Sequence, residues 1–484
     1  MRWSGLLAFA WTCASCSSSA PVVDDAPPVE PDTPEGPDPN DGARSGTRLK
    51  LTWFDFSDGA RQWDGFYDAQ RKETCYIYRD WIDGKSYCSP DYGGSIVFTN
   101  ATCTTKVAEL YKDGCAAGPR PYAMEWEYTP CDSKPAHLYT RGAKVTLAQY
   151  YFKSSDGACN GPYTTSTSYD YYALGAEVAR SELVEVTLGS PVGPGRLGVR
   201  HYQSPGGMSL QAAVHDAALG TDCFPQVFAS GAMTGSCSPS ARYAGYDQDA
   251  GCTQHKLGIN RQCTVPKYAV YYPTNACPAD PPQYFTLGAL VAGSPLYYHN
   301  GTSCVATTPS ATNDYYRVGA ELAVAPVEVV HTDSGSRLKL VKYTNPEGLL
   351  YRSYNLYDTQ KGTDCYPTKL PDGTLRCIAY GGYTRQVYTS SACTTAIDVV
   401  EVESGPASCG APIVPKFARK FIPPATGSCS YDTQVFTIGA QHTAPVYENF
   451  GTCQLYTPIN AKLYSVGAQV PLNEFVSATT SIDP

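Results

Sequence analysis

The sequence predicts an all-β chain of three internal repeats, closing as a six-bladed β-propeller; the alternative is three tandem disulfide-stapled β domains. Three observations carry this expectation. Short runs rich in Tyr, Val and Thr alternate with polar residues and are punctuated by Gly, Pro, Asn and Asp, while helical periodicity is nearly absent. An opening motif recurs as TRLKLTWF at Thr47, GRLGVRHY at Gly195 and SRLKLVKY at Ser336, with Arg48, Arg196 and Arg337 at the same place in each copy and nearly evenly spaced along the chain. An aromatic followed three residues on by Gly-Ala occurs six times, two per repeat, placing Gly142, Gly175, Gly288, Gly319, Gly439 and Gly467 at recurring strand positions.

Taken in order, the chain begins with Arg2, the apolar run Gly5 to Trp11, then TCASC and a serine cluster, which reads as an export signal over residues 1–15. The run is far too short to span a bilayer. Ala14-Ser15-Cys16 resembles the end of a bacterial lipobox, with Cys13 where Leu is usual, and implies lipidation at Cys16. Residues 16–45 are rich in Pro and acid and poor in aromatics, which suits a disordered tether. Ser17 after the cysteine resembles outer-membrane sorting. The expected location is therefore the cell envelope, as an outer-membrane lipoprotein facing the periplasm or the surface.

The body divides into units 46–188, 189–332 and 333–484. After the opening motif, each unit carries an Asp-containing strand, putting Asp68, Asp216 and Asp358 at one equivalent position. Setting aside Cys13 and Cys16, eighteen cysteines fall six to a unit, which in an exported chain means disulfides. Metal ligation by these eighteen is disfavoured because no C-x-x-C pair exists among them and His is scarce. Hairpin geometry suggests pairing Cys131 with Cys159, Cys277 with Cys304 and Cys429 with Cys453, since each pair brackets a turn almost symmetrically. Asp83-Gly84 and Asp372-Gly373 are hairpin turns between Cys75 and Cys88 and between Cys365 and Cys377; Cys223 and Cys237 are the middle unit's equivalent. The remaining expected pairs are Cys103 with Cys115, Cys252 with Cys263 and Cys393 with Cys409. The two Gly-Ala copies of a unit, such as those at Gly142 and Gly175, lie less than a quarter of a unit apart. That is too close for equivalent positions in two evenly sized blades, each of which would take half a unit.

The body also resembles a group of uncharacterised cysteine-rich repeat lipoproteins of bacteria, of myxobacterial type, through Tyr67-Asp68, Cys75, Asp83-Gly84, Cys88 and Cys103, and through Tyr357-Asp358, Cys365, Asp372-Gly373, Cys377 and Cys393. The middle unit departs from that pattern at His215 and Ser230-Gly231. The resemblance implies export, repeats and disulfides, and transfers no catalytic residue.

The formal charge of −9 resides largely in the tether, where residues 1–45 hold seven carboxylates. A nearly balanced body without a basic block excludes nucleic acid as the expected partner. No G-x-S-x-G elbow, H-E-x-x-H pair or phosphate-binding loop is present, and the seven histidines share no repeat position. Asp247 and Asp249 in YDQDAG resemble a calcium loop but lack its other ligands, so a solvated turn is expected. A carboxylate recurring in every unit reads as turn-capping rather than catalytic. The 38 tyrosines offer flat faces suited to glycan or protein ligands, though none can be singled out. The functional expectation is a monomeric envelope lipoprotein that binds a glycan or protein ligand or serves as a surface scaffold, needing no cofactor. The alternative is a secreted propeller-type enzyme acting on polysaccharide, with paired carboxylates.

Overall fold

In the computed structural model, residues 42–112, 120–228, 232–273, 277, 280–300, 303–370, 372–405, 409–422 and 432–484 are described. Cys16 and the tether up to residue 41 lie outside the described residues, as do Cys115, Ser230-Gly231 and Cys429.

The architecture is all-β, and closure comes from a single ring of fifteen strands instead of six blades. The first unit supplies Leu49–Phe56, Arg61–Asp68, Glu73–Tyr78, Ser86–Pro90 and Val184–Leu188. The second supplies Leu197–Gln203, Ser209–Asp216, Thr221–Gln226, Thr234–Pro239 and Ala325–Asp333. The third supplies Leu338–Thr344, Leu350–Asp358, Thr363–Lys369, Leu375–Ala379 and Ser477–Ile482. The last strand returns to pair antiparallel with the first, Thr52 opposite Ile482 and Phe56 opposite Ala478. The ladder also crosses every unit boundary, through Thr187 opposite Gln203 and Glu328 opposite Thr344. The tandem-domain alternative is therefore corrected as well: the ring satisfies each unit's edge strands with its neighbours' backbone, which separate beads could not do.

Within a unit, the register of the first two strands shifts at the same place, at Thr52/Trp53, Arg200/His201 and Leu340/Lys342. An extra residue there bends the pair and increases its twist, which lets five strands curl around a core of their own. Each resulting lobe is closed by its neighbour. Met208 and Leu210 of the second unit pack into the first core, Leu349 of the third into the second, and Phe54, Phe56 and Ala60 of the first into the third. Where the three second strands meet, the packing turns polar. The Gln62 side chain donates to the Ser353 carbonyl (3.2 Å), Arg352 Nε donates to Gln62 Oε1 (3.0 Å), and the Arg352 backbone N–H donates to Gln211 Oε1 (2.8 Å).

Between the fourth and fifth lobe strands of every unit the chain leaves the ring and builds a separate sheet, here called an insert, over 94–178, 242–321 and 382–470. The paired Gly-Ala motifs lie on adjacent strands of these inserts: Ser133–Val145 beside Tyr169–Val178, Gln283–Val291 beside Asn313–Glu321, and Asp432–His442 beside Ala461–Val470. Their registers slip at both glycines. A Cβ on Gly142 would stand 2.8 Å from the Ala173 carbonyl oxygen, and one on Gly175 would stand 3.1 Å from that of Thr140. Glycine is the residue that permits such close backbone approach.

Disulfides staple all three levels. Within lobes, Cys75 bonds to Cys88, Cys223 to Cys237 and Cys365 to Cys377. The other expected pairings are corrected. Cys103 bonds to Cys159, Cys252 to Cys304 and Cys393 to Cys453, not to Cys115, Cys263 and Cys409. Cys131 bonds to Cys263 and Cys277 to Cys409, each joining one insert to the next. The reason is that the return strand after the expected turn peels away. Gln149–Lys153 pairs with Cys159–Thr164 and touches Phe98 through Tyr151, and never pairs with Ser133–Val145. Cys159 is thereby delivered to the turn after Asn100, where Cys103 sits with a left-handed backbone (φ 49°), as do Cys252 (52°) and Cys393 (51°).

Candidate functional site

The recurring aspartates are not brought together; each is held within its own lobe. Arg48 grips Asp68 with two parallel bonds (2.9 and 2.6 Å), Arg196 grips Asp216 (2.8 and 2.7 Å) and Arg337 grips Asp358 (2.8 and 2.6 Å). The same carboxylates accept turn N–H groups, from Gln70 and Arg71, from Ala218 and Leu219, and from Gln360 and Lys361. A planar guanidinium fork matches a carboxylate, and the turn amides occupy further lone pairs. Burial pushes the Asp68 carboxyl up, but the bonds from Arg48 and from the Arg71 and Gln70 amides outweigh it and hold the group below its ordinary range. That contribution is present above the unfolded carboxylate range and is lost as pH falls through the folded value.

A depression of about 550 Å³ lies between the first and second lobes and is lined by Arg48, Lys85, Tyr87, Arg180, Glu185 and Ser204 among others. Its cations are committed internally, Arg48 to Asp68, Lys85 to Glu185 and Arg180 to Asp83. Among the described residues, no group of three or more His, Cys, Asp and Glu is arranged to hold a metal ion. In the YDQDAG segment, Asp247 bonds to His255 Nδ1 (2.6 Å), and Asp249 accepts the N–H groups of Thr253 and Gln254, which makes the segment a self-satisfied turn.

A different feature recurs in register and, in the second and third units, faces solvent. Where the chain passes from lobe to insert, Gly94, Arg242 and Gly382 pair in parallel with the buried Ala123, Ala269 and Ala418. This seam gathers aromatic rings in every unit. One position, three residues after that alanine, is always aromatic: Trp126, Tyr272 and Phe421. Another directly follows the first lobe cysteine: Tyr76, Phe224 and Tyr366. In the third unit the rings of Tyr366, Tyr380, Tyr383 and Phe421 surround Arg419, whose guanidinium carbon lies 5.2 to 5.8 Å from their four centroids. Arg419 also donates to the Tyr383 hydroxyl (3.0 Å). In the second unit Tyr243 and Tyr272 stand 5.9 Å apart in the same relation as Tyr383 and Phe421. In the first, Tyr78, Tyr92 and Trp126 form a mutual cluster at 5.5 to 6.3 Å.

A family model described as a family of unknown function, DUF7481, matches residues 37–475. The chain belongs to DUF7481. No curated protein and no solved structure matches it. In this DUF7481 chain the sequence pattern alone did not single out the seam, because the site draws residues from the third lobe strand, the crossing segment and two insert strands. The usable signal was the aromatic after each first lobe cysteine, which recurs at the lobe spacing.

The centre of each seam carries a different residue. Met124, Val270 and Arg419 all directly follow the paired alanine and are all buried. Beside the third seam, Asp364 occupies the strand position of Asp222, one opposite Tyr357 and the other opposite His215. Asp222 is paired with Arg200 and His215. Asp364 instead is pushed up to about 6 by burial, with only the Asn355 side chain pulling it down. No described helix is long and apolar enough to cross a membrane, and the eight described disulfides belong to an oxidising compartment.

Proposed function

We propose that this chain is a lipid-anchored cell-envelope scaffold whose second and third seams are ligand-binding surfaces for a glycan or protein. The observation that supports the reading is that rings at equivalent registers of the second and third lobe-to-insert seams face solvent. Tyr243 is 52 %, Tyr272 57 % and Phe224 61 % exposed. Rings of this kind supply large apolar area at low entropic cost, and a tyrosine adds a hydroxyl for orientation. A backbone fixed by a closed ring and by disulfides between inserts holds them ready, which lowers the ordering cost of binding. Two such surfaces on one rigid body would raise avidity for a repeated ligand. Acylation at Cys16 would keep them at the membrane through the tether.

The test is a screen of the full chain on glycan and peptide arrays, repeated with Phe224, Tyr243 and Tyr272 changed to Ala together. Array signals that fall on substitution support the reading; signals indifferent to it, and to the equivalent changes at Tyr383 and Phe421, overturn it. Loss of acyl-probe labelling in Cys16→Ala is the expected result for the anchor, and unchanged labelling would remove that part.

A further inference from the structure

Among the described residues Arg419 is the only buried arginine, at 7 % exposed, and it makes no ion pair. The chain treats its other structural arginines differently. Arg48, Arg196 and Arg337 are each forked onto an aspartate, and Arg385 of the third insert is held by Glu401 and Glu448. Arg419 Nη2 gives one N–H to the Tyr383 hydroxyl (3.0 Å); Nε is sealed from solvent without an acceptor, and Nη1 also lacks one but is not sealed. The surrounding ring faces attract the cation through their quadrupoles. They do not fill its hydrogen-bonding directions, and a buried charge without a bonded anion is costly.

The unpaired cation belongs to the third seam alone. The first seam is closed by Met124, which has no exposure, and the second by Val270 with the buried Tyr284 directly opposite, where the third has Val435 opposite Arg419. Around Arg419 the rings of Tyr380, Tyr383 and Phe421 are exposed, so they form a rim and not a lid. Tyr383 and Phe421 stand 5.5 Å apart and are inclined by 32°, which offers two neighbouring apolar faces to a ligand. The carboxylate felt at Tyr366, that of Asp364, forms no ion pair with Arg419 and is pushed up to about 6 by burial. At Arg419 the strand is paired on both sides, with Tyr383 and with Val435, so recognition there falls to side chains and not to a free sheet edge that an extended peptide could join.

We infer that the third seam recognises a uronic acid residue of a glycan, whose carboxylate accepts from Nη1 and the second N–H of Nη2 of Arg419 while its sugar ring lies on Tyr383 and Phe421. This rests on the reading of the seams as binding surfaces and names the chemistry of one of them. A planar guanidinium presents two parallel donors that match a carboxylate, and the bond strengthens where water is largely excluded. With Met124 and Val270 at the equivalent positions, one anionic site is expected per chain.

The experiment titrates the full chain by calorimetry with a short oligogalacturonate, its methyl ester, and a blocked peptide containing one glutamate. Saturable binding of the oligogalacturonate is expected, with affinity lower by about tenfold for the ester, which keeps the sugar ring and loses the charge. Arg419→Met installs the residue that the first unit carries at this position and should abolish the preference for acid over ester. Arg419→Lys keeps the charge without the fork and should weaken oligogalacturonate binding by about tenfold. Phe421→Ala should weaken acid and ester alike by removing a stacking face. Equal affinity for acid and ester, or oligogalacturonate binding undiminished in Arg419→Lys, would overturn the inference, and the lysine variant decides the matter should Arg419→Met fail to fold by circular dichroism. Binding of the glutamate peptide alone would also overturn it while leaving the seam as a binding surface. Silence to all three probes would overturn it too, and silent arrays as well would count against both readings.

Discussion

The lobes and the seams of this molecule repeat in different ways. In the lobes the same atoms recur three times: an Arg forked onto a buried Asp, two turn amides on that Asp, a cysteine pair across the third and fourth strands, and a register slip between the first two. At the seams only the backbone frame and the ring positions recur, while the central residue changes from Met124 to Val270 to Arg419. A feature needed to close the ring must be present in every unit, because each lobe core is completed by its neighbour. A feature that contacts a ligand is under no such constraint. The difference suggests that stability resides in what repeats and specificity in what varies.

This contrast can be broken most severely at a lobe. Asp216→Ala leaves Arg196 without its partner and strips two turn amides of their acceptor, so a loss of about 3–5 kcal/mol is expected, read as a shift in the denaturant midpoint. A loss below about 1 kcal/mol would show that the recurring pair is not a determinant of the lobe. Next in size is the clamp between inserts: replacing Cys131 and Cys263 together by Ser should cost about 2–4 kcal/mol, with the lobe strands still formed by circular dichroism.

A smaller effect of opposite sign is expected beside the third seam. The folded-state value of Asp364 is raised, so its favourable term is complete below the unfolded carboxylate range and is lost as pH rises through about 6. Asp364→Asn should therefore stabilise the protein by about 2 kcal/mol at pH 8 and by nothing at pH 3.5, measured as unfolding midpoints across pH. Equal effects at both pH values would assign the gain to packing. The smallest change belongs to the seam itself: Tyr272→Ala should shift stability by less than about 1 kcal/mol, as an exposed ring does, while removing ligand contact.

Much of the fold could be read from the sequence because β-alternation, the recurring Arg and Asp positions and six cysteines per unit are local or periodic signals. The Gly-Ala pairs were visible as recurring structure, and their close spacing within a unit already conflicted with separate blades; they are neighbours in one insert. Ring closure was not legible, since pairing of Leu49–Phe56 with Ser477–Ile482 joins strands from opposite ends of the body. The disulfide assignment failed where a symmetric hairpin was inferred from distance along the chain. Nothing in the spacing of Cys131 and Cys159 reveals that Gln149–Lys153 will leave its expected partner for the strand containing Phe98. The seam was hidden for a related reason, being assembled from Tyr366, Tyr383, Arg419 and Phe421 on three separated segments.

The central claim is that the three units form one cyclic body, each fastened to the next. Peptide mapping of the unreduced full chain tests it most directly. Crosslinked peptides joining Cys131 to Cys263 and Cys277 to Cys409 are predicted. Links confined to single units, Cys131 with Cys159 and Cys277 with Cys304, would contradict the account and restore three separately stapled domains.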